Sequence, residues 1–369
     1  MSSAKLIVST VILMALAMPA KAKTYELETI AKNLDYPWSL AFLPSGDFLV
    51  SFLGGELRQI SAQGKIGRAI ENVPDTYRQS QGGFFDVVLD PNFETNQNIY
   101  LAFAHGTQKE NATRVIKARY QGHTLIDVET IFTVKQVKDT PVHYGGRLTF
   151  INDGTLLLTT GDGFNYREAS QDPFNQMGKI LRMNTDGSVP IDNPFANGAE
   201  ADPYIYSLGH RNPQGLVYDG ASHTIYMHEH GPRGGDEVNV VRAGENYGWP
   251  VTTDGVNYSG AKITPFRELE GITSPAKVWT PSVAPSGLAF YNQDVFPQWK
   301  NSLFVGTLVD KDVRRLQLKN TVVESEEILF SEIQQRIRDV RTGPDGMIYL
   351  LSEDPGQGNG KLLRVKPKA

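Results

Sequence analysis

The sequence predicts an all-β fold: a six-bladed β-propeller whose blades are four-stranded antiparallel sheets. Three observations lead there. Very few segments carry a 3.6-residue period, and short alternating runs dominate, broken by Gly, Pro, Asn and Asp. One rhythm recurs: an apolar strand, a polar turn, then a second apolar strand. Its copies follow one another at intervals of 47 to 72 residues, the long strand-built period of a propeller. A four-stranded sheet cannot bury both faces alone, so such sheets pack radially around a channel.

Taken in order, the first copy is Ser39-Leu40-Ala41-Phe42, the turn Pro44-Ser45-Gly46, and Phe48-Leu49-Val50. The second is Asp86-Val87-Val88-Leu89 with Ile99-Tyr100-Leu101 beyond Asp90-Pro91-Asn92. The third is Arg147-Leu148-Thr149-Phe150, then Asn152-Asp153-Gly154 and Leu156-Leu157-Leu158. Gly215 to Tyr218 before Asp219-Gly220, and Gly287 to Phe290 before Asn292, open the fourth and fifth. The sixth is Asp339 to Thr342 with Ile348-Tyr349-Leu350 after Pro344-Asp345-Gly346. Leu40, Val87, Leu148, Leu216, Leu288 and Val340 mark the expected inner strands. The stretches Asp172 to Asn197 and Glu245 to Lys277 read as inserted loops, where function tends to reside. A tandem pair of two-sheet sandwiches is the competing architecture, but no Pro/Gly/Ser linker divides the chain, so residues 23–369 read as one propeller.

Composition narrows the function. The chain has 369 residues, 40% hydrophobic and 21% charged, which excludes disorder. A net charge of −5 gives no basic field for nucleic acid. With 0 cysteines, disulfide frameworks, thiol nucleophiles and thiolate metal sites are excluded. Residues 1–22 read as a cleaved secretory signal: Lys5, an apolar run from Leu6 to Met18, and the small-x-small site Ala20-Lys21-Ala22. That run is too short to span a bilayer, and no other segment is long and apolar enough, so a periplasmic protein without membrane insertion is expected.

Several constellations could carry chemistry. His143 precedes the third inner strand, where an imidazole could face the channel and act as a base near neutral pH; a structural histidine is the plainer reading. His210-Arg211-Asn212-Pro213-Gln214-Gly215 gathers donors at the start of the fourth, or forms a capped turn. Glu229 to Glu237 is a Gly-rich acidic loop suited to a hard cation through carboxylates and carbonyls, while His228 and His230 share strand parity as a transition-metal pair would. Arg336 and Arg338 fall on one strand face and repel unless an anion lies beside them; a solvated edge strand is the alternative. Gln81-Gly82-Gly83 precedes the second inner strand. Gln81, His143, Arg211, Asn212, Arg336 and Arg338 would therefore converge on one channel mouth, a cluster suited to a flat polyanion. No nucleotide loop or serine-hydrolase elbow is present in the sequence.

These residues resemble the soluble glucose/sorbosone dehydrogenases that depend on pyrroloquinoline quinone (PQQ), in particular the periplasmic aldose sugar dehydrogenase branch. The resemblance spans nearly all of residues 23–369. It rests on Tyr36-Pro37-Trp38, Gln81-Gly82-Gly83, His143 with Gly146-Arg147-Leu148, Gly161-Asp162-Gly163, Leu208 to Gly215, His230-Gly231-Pro232, Gly244 to Pro250, and Arg336-Ile337-Arg338-Asp339-Val340. It implies a catalytic base at His143 acting on an aldose, with hydride transfer to the quinone and an aldonolactone product. It implies cofactor contacts at Gln81, Arg211, Asn212, Tyr258, Arg336 and Arg338. It places an active-site Ca²⁺ at Gly231 and Pro232, acting as a Lewis acid, and a second, structural Ca²⁺ at Glu237 and Tyr247. It leaves the electron acceptor open and admits a monomer or a homodimer.

One position departs from the family pattern. Val309 stands where a Lys usually follows the Gly-x-Leu of the fifth blade, and Lys311, two residues on, is the expected substitute if the strand continues. Two other functions remain open at this point. A Ca²⁺-dependent lactonase would need inward acids without an arginine clamp, and a non-catalytic ligand-binding propeller would keep the fold without turnover.

Overall fold

The computed structural model describes residues 24–368; the expected signal, residues 1–22, lies outside them. The described chain forms six four-stranded antiparallel sheets. Their first strands are Pro37–Phe42, Phe84–Leu89, Leu148–Phe150, Pro213–Asp219, Pro285–Tyr291 and Arg336–Thr342. Each packs against the next, and the sixth returns to the first, so the ring closes. All six expected inner-strand landmarks lie in these strands. The only α-helix among the described residues is the single turn Phe93–Asn96.

Alternation along the strands builds the walls between blades. In Phe48–Phe52 of blade one, Phe48 and Val50 pack toward blade six with Tyr349 and Leu351. Leu49 points the other way, into a cluster with Phe84, Val87 and Leu101 of blade two. In blade three, Leu156 and Leu158 face blade two while Leu157 faces Leu216 and Met227 of blade four. A period of two therefore gives every middle strand two buried faces, one per neighbour. Each such Leu or Val contributes roughly 1.5–3 kcal/mol by leaving water.

The sequence reading did not anticipate how the ring locks. Tyr25–Leu34 is the outermost strand of blade six, antiparallel to Gly360–Pro367, so the first and last strands of the described residues share one sheet. The expected loop at Asp172 to Asn197 needs correcting, because it contains the buried strand Lys179–Met183 between two shorter connections. Ile180 and Leu181 are short apolar content inside a polar stretch, which hid the strand. The second expected loop holds: residues 242–276 connect Asp236–Val241 to Lys277–Trp279.

The channel is filled by charge. Arg147 Nη1 lies 3.0 Å from Asp339 Oδ1 and 3.8 Å from Asp86 Oδ1. Arg341 reaches both acids at 2.8 Å. Arg147 Nε donates to the Gln214 carbonyl at 2.8 Å, and its guanidinium stacks 4.0 Å above the Trp38 ring. The four charges balance and tie blades two, three, four and six together. Trp38 lines a cavity at one mouth and Arg341 lines another at the opposite end, so the cluster divides the channel.

Candidate active site

At the Trp38 mouth lies a cavity of about 480 Å³. Gln81, Asn212, Arg336 and Arg338 line it, together with Tyr36, Arg78, Tyr144 and Glu353. These residues come from five blades: all but Glu353 lie in loops that precede inner strands or in the strands themselves, and Glu353 ends the second strand of blade six. A second cavity of about 290 Å³ adjoins it, lined by Arg211, Pro232, Trp249, Phe164 and Tyr258.

His143 sits between the two. Its neighbours Tyr144 and Gly145 line the first cavity, and its ring packs edge-on to Phe164 of the second at 5.2 Å. The residue has φ +53°, a left-handed backbone that costs a non-glycine residue about 1 kcal/mol. The Gln81 side-chain oxygen holds it there by accepting from the His143 backbone N–H at 2.9 Å. Gly161 is required behind it, since a Cβ there would lie 2.3 Å from the His143 carbonyl oxygen.

The imidazole is oriented by a residue to which sequence reasoning gave no role. His143 Nδ1 donates to Asp162 Oδ1 at 2.6 Å. Asp162 is itself fixed: Trp249 Nε1 donates to its Oδ2 at 2.8 Å, and the Phe164 N–H to its Oδ1 at 2.7 Å. Burial lowers the His143 pKa, opposed by Asp162, so the ring is neutral near pH 7. Burial alone would raise the Asp162 carboxyl, but the His143 hydrogen bond and the Arg211 charge outweigh it and leave the group below the usual carboxylate range. This pairing places the proton on Nδ1 and the lone pair on Nε2. Asp162 is visible in the sequence only as the middle of a Gly-Asp-Gly turn.

The two sixth-blade arginines are on the inner strand, not on a solvated edge, and the anion between them is Glu353. Its Oε1 accepts from Arg338 Nη2 at 2.8 Å and from Arg336 Nε at 3.3 Å. Glu353 faces Arg336 across the hairpin, a pairing that no local motif announces. One carboxylate does not saturate two guanidiniums. Arg338 Nε is buried without a partner, and the terminal nitrogens of Arg336 donate to no group among the described residues. Two cavity-lining arginines with unused guanidinium donors fit an anionic ligand such as a carboxylated quinone.

The remaining candidates are placed as follows. Asn212 Oδ1 accepts from the Gly145 N–H at 3.2 Å. Arg211 Nη1 donates to the carbonyls of His230 at 3.0 Å and Gly231 at 2.5 Å, and Arg211 and Pro232 both face the second cavity. Tyr258 is exposed at the rim of that cavity, stacked on Phe164 at 6.3 Å. Lys311 does not continue a strand. Ser302–Thr307 ends before it, Lys311 has φ +59° in an exposed turn, and it does not line the cavity. The expectation of a shared strand face therefore fails at the turn.

The acidic loop forms a water-sized void of about 10 Å³ lined by Glu229, Glu237, Gly231, Thr252 and Thr253. Burial and the Glu229 charge push the Glu237 carboxyl well above its usual range. Two acids at an ion-sized void, Glu229 buried and Glu237 half-buried, with the Gly231 backbone beside them, fit a hard cation. Tyr247 takes no part in this lining: its hydroxyl donates to the Val240 carbonyl at 2.7 Å, and its ring stacks on His210 at 4.9 Å. His228 and His230 are each spent on carbonyls, of Gly287 at 2.9 Å and Pro285 at 2.7 Å. Among the described residues no three His, Asp, Glu or Cys side chains cluster as a metal site.

A six-bladed propeller that sets a carboxylate-oriented histidine beside an arginine-walled cavity can present a general base next to an anionic ligand. The chain belongs to the glucose/sorbosone dehydrogenase family, whose sequence profile matches residues 34–364. It is 40% identical over 358 residues to the aldose sugar dehydrogenase YliI of Escherichia coli, covering 95% of each chain. It is 27% identical to quinoprotein glucose dehydrogenase B of Acinetobacter calcoaceticus, covering 91% of this chain and 87% of the other. The PQQ-bound aldose sugar dehydrogenase of Streptomyces coelicolor superposes with a TM-score of 0.77 at 28% identity, covering 95% of this chain and 100% of the other.

Proposed function

We propose that this protein oxidises aldoses at C1 to the lactone, using PQQ and Ca²⁺. The observation that carries this reading is the pairing of His143 with Asp162 beside a cavity whose arginines retain unused donors. Arg336 and Arg338 would hold the acidic groups of the quinone, and the Asn212 amide and Gln81 would border it. Arg211, Tyr258 and Pro232 border the adjoining cavity, where an aldose would approach His143. Glu229 and Glu237 would hold one Ca²⁺, and the carbonyls of the Gly231–Pro232 loop a second. When bound, the quinone supplies the acceptor for the C1 hydride, and Ca²⁺ supplies Lewis-acid polarisation.

The chain's own work is proton transfer and orientation. His143 Nε2 carries the lone pair and takes the anomeric hydroxyl proton. Asp162 stabilises the imidazolium that forms and keeps the ring from rotating. The tight fixing of Asp162 by Trp249 and Phe164 makes this geometry available before substrate arrives. An exported enzyme acting in the periplasm is consistent with the leader-like residues 1–22.

Reconstitution tests the reading. The purified chain, supplied with PQQ and Ca²⁺, should reduce a dye at the expense of glucose, need both additions, and lose turnover in His143→Ala. Quinone binding without oxidation of any aldose would overturn it.

A further inference from the structure

We propose that Arg78 is a second anion-binding fork of the mouth cavity, engaging an acidic group of the ligand that Arg336 does not reach. The inference rests on the reading of that ligand as a polycarboxylate quinone.

Arg78 lies in the connection between blades one and two and lines the same cavity as Arg336 and Arg338, which belong to blade six. Its Nη1 is fully employed, donating to the Ser80 carbonyl at 2.7 Å and the Gly82 carbonyl at 3.1 Å. Its guanidinium lies 5.7 Å from the centre of the Tyr36 ring, another lining residue. Nη1 thus anchors the group while Nε and Nη2 donate to nothing among the described residues. Those two nitrogens form the edge that meets a carboxylate through two parallel hydrogen bonds. No carboxylate pairs with Arg78 among the described residues, whereas Arg336 and Arg338 share Glu353. Arg78, Arg336, Arg338 and Glu353 therefore leave the cavity with a net positive charge of two.

The arrangement is pre-organised. A guanidinium clamped by two neutral carbonyls keeps its full charge and loses little freedom on binding. Because Arg78 is exposed at the rim, water and salt screen its long-range field, so its contribution must come from direct contact. A ligand with one acidic group would be satisfied at blade six alone. One with acidic groups at separate edges would use both walls.

The test is PQQ binding to the cofactor-free chain, followed by quenching of tryptophan fluorescence, since Trp38 lines the cavity. Wild type, Arg78→Gln, Arg78→Lys and Arg336→Gln are compared across salt concentrations, with melting temperatures as a check on the fold. Arg78→Gln should weaken binding roughly ten- to a hundredfold, the worth of a charge-assisted hydrogen bond. Its affinity should also depend less on salt, and Arg78→Lys should fall between. Arg78→Gln binding as wild type while Arg336→Gln binds weakly would overturn the assignment and leave the quinone reading intact. A loss of turnover at saturating PQQ with an unaltered salt dependence would also overturn it, making Arg78 a prop for the Gln81 turn. Wild type that binds no PQQ would overturn the quinone reading itself and Arg78 with it.

Discussion

Asp162 Oδ1 accepts the Nδ1 proton of His143 at 2.6 Å, although the two residues lie on opposite sides of the hairpin that starts blade three. The carboxylate decides which ring nitrogen can act as a base. In Asp162→Asn the amide supplies no anionic acceptor and can present its N–H to Nδ1, favouring the wrong tautomer. Turnover should fall roughly 10²- to 10⁴-fold. Asp162 raises the His143 pKa against burial, so the acid limb of kcat, already below the ordinary histidine value, should move to lower pH. Initial rates from pH 4 to 8 with PQQ-loaded protein check both the magnitude and the direction.

Glu353 separates two like charges. In Glu353→Ala, Arg336 and Arg338 lose their shared acceptor at a largely buried site. Unfolding free energy should drop by about 3 kcal/mol, the low end for a broken buried pair because Arg336 is partly exposed. Added PQQ should restore more of the melting temperature in this variant than it adds to wild type, because its acidic groups would replace the lost anion. Melts with and without the quinone measure the difference.

Much of this was legible in the chain, for a physical reason. Alternation imposes itself wherever a strand is buried on two faces, so Leu49, Leu157 and their neighbours announce the blades locally. The start of each inner strand is equally local, which is why Gln81, His143, Asn212 and Arg336 could be assigned to one mouth. What stayed hidden is pairing across distance. Asp162 with His143, Glu353 with its two arginines, and Tyr25–Leu34 with Gly360–Pro367 are set by closure of the ring, not by spacing. Lys311 failed for the opposite reason: strand parity was extended past Thr307 into a turn with positive φ.

Two further imidazoles make the fold acid-sensitive. Burial holds His228 down to about 3 and His230 down to about 4. The unfolded chain takes up a proton at each near pH 6.5, while the folded chain does not. Stability therefore falls as pH falls below 6.5, and continues to fall until the folded-state values are reached. Each group adds a slope of about 1.4 kcal/mol per pH unit across that window. Urea midpoints at pH 7.5, 6.0 and 5.0 should decline in sequence, and His228→Gln should flatten the decline even where it lowers the midpoint at pH 7.5.

Calcium should act on stability as well as on turnover. Glu229 and Glu237 repel across the ion-sized void they share, and a divalent cation would relieve this. At a hundredfold excess over its Kd, a bound ion adds about 2.7 kcal/mol. Wild type should melt higher in Ca²⁺ than in chelator. Glu237→Gln should abolish most of that difference while melting no lower than wild type in chelator, because the substitution removes one of two repelling acids.

The channel cluster supplies the last expectation. Arg147 is buried between Asp339 and Asp86, and its Nη2 also donates to the Arg338 carbonyl at 3.3 Å. Methionine at this position would keep much of the stem packing against Trp38, yet leave two carboxylates to Arg341 alone. Removing one partner of a buried pair costs about 3–5 kcal/mol because the remaining charge is stranded. The urea midpoint of Arg147→Met should fall accordingly with an unchanged m-value, which would mark a loss of stability without a change in compactness. The Arg338 carbonyl would lose one of its two donors but keep Ser286 Oγ at 2.8 Å. PQQ affinity should therefore weaken by only a few fold, far less than in a variant that removes the Arg338 guanidinium itself. A large stability loss with a small affinity loss is the signature of a cluster that divides the channel beneath the site without contacting the ligand.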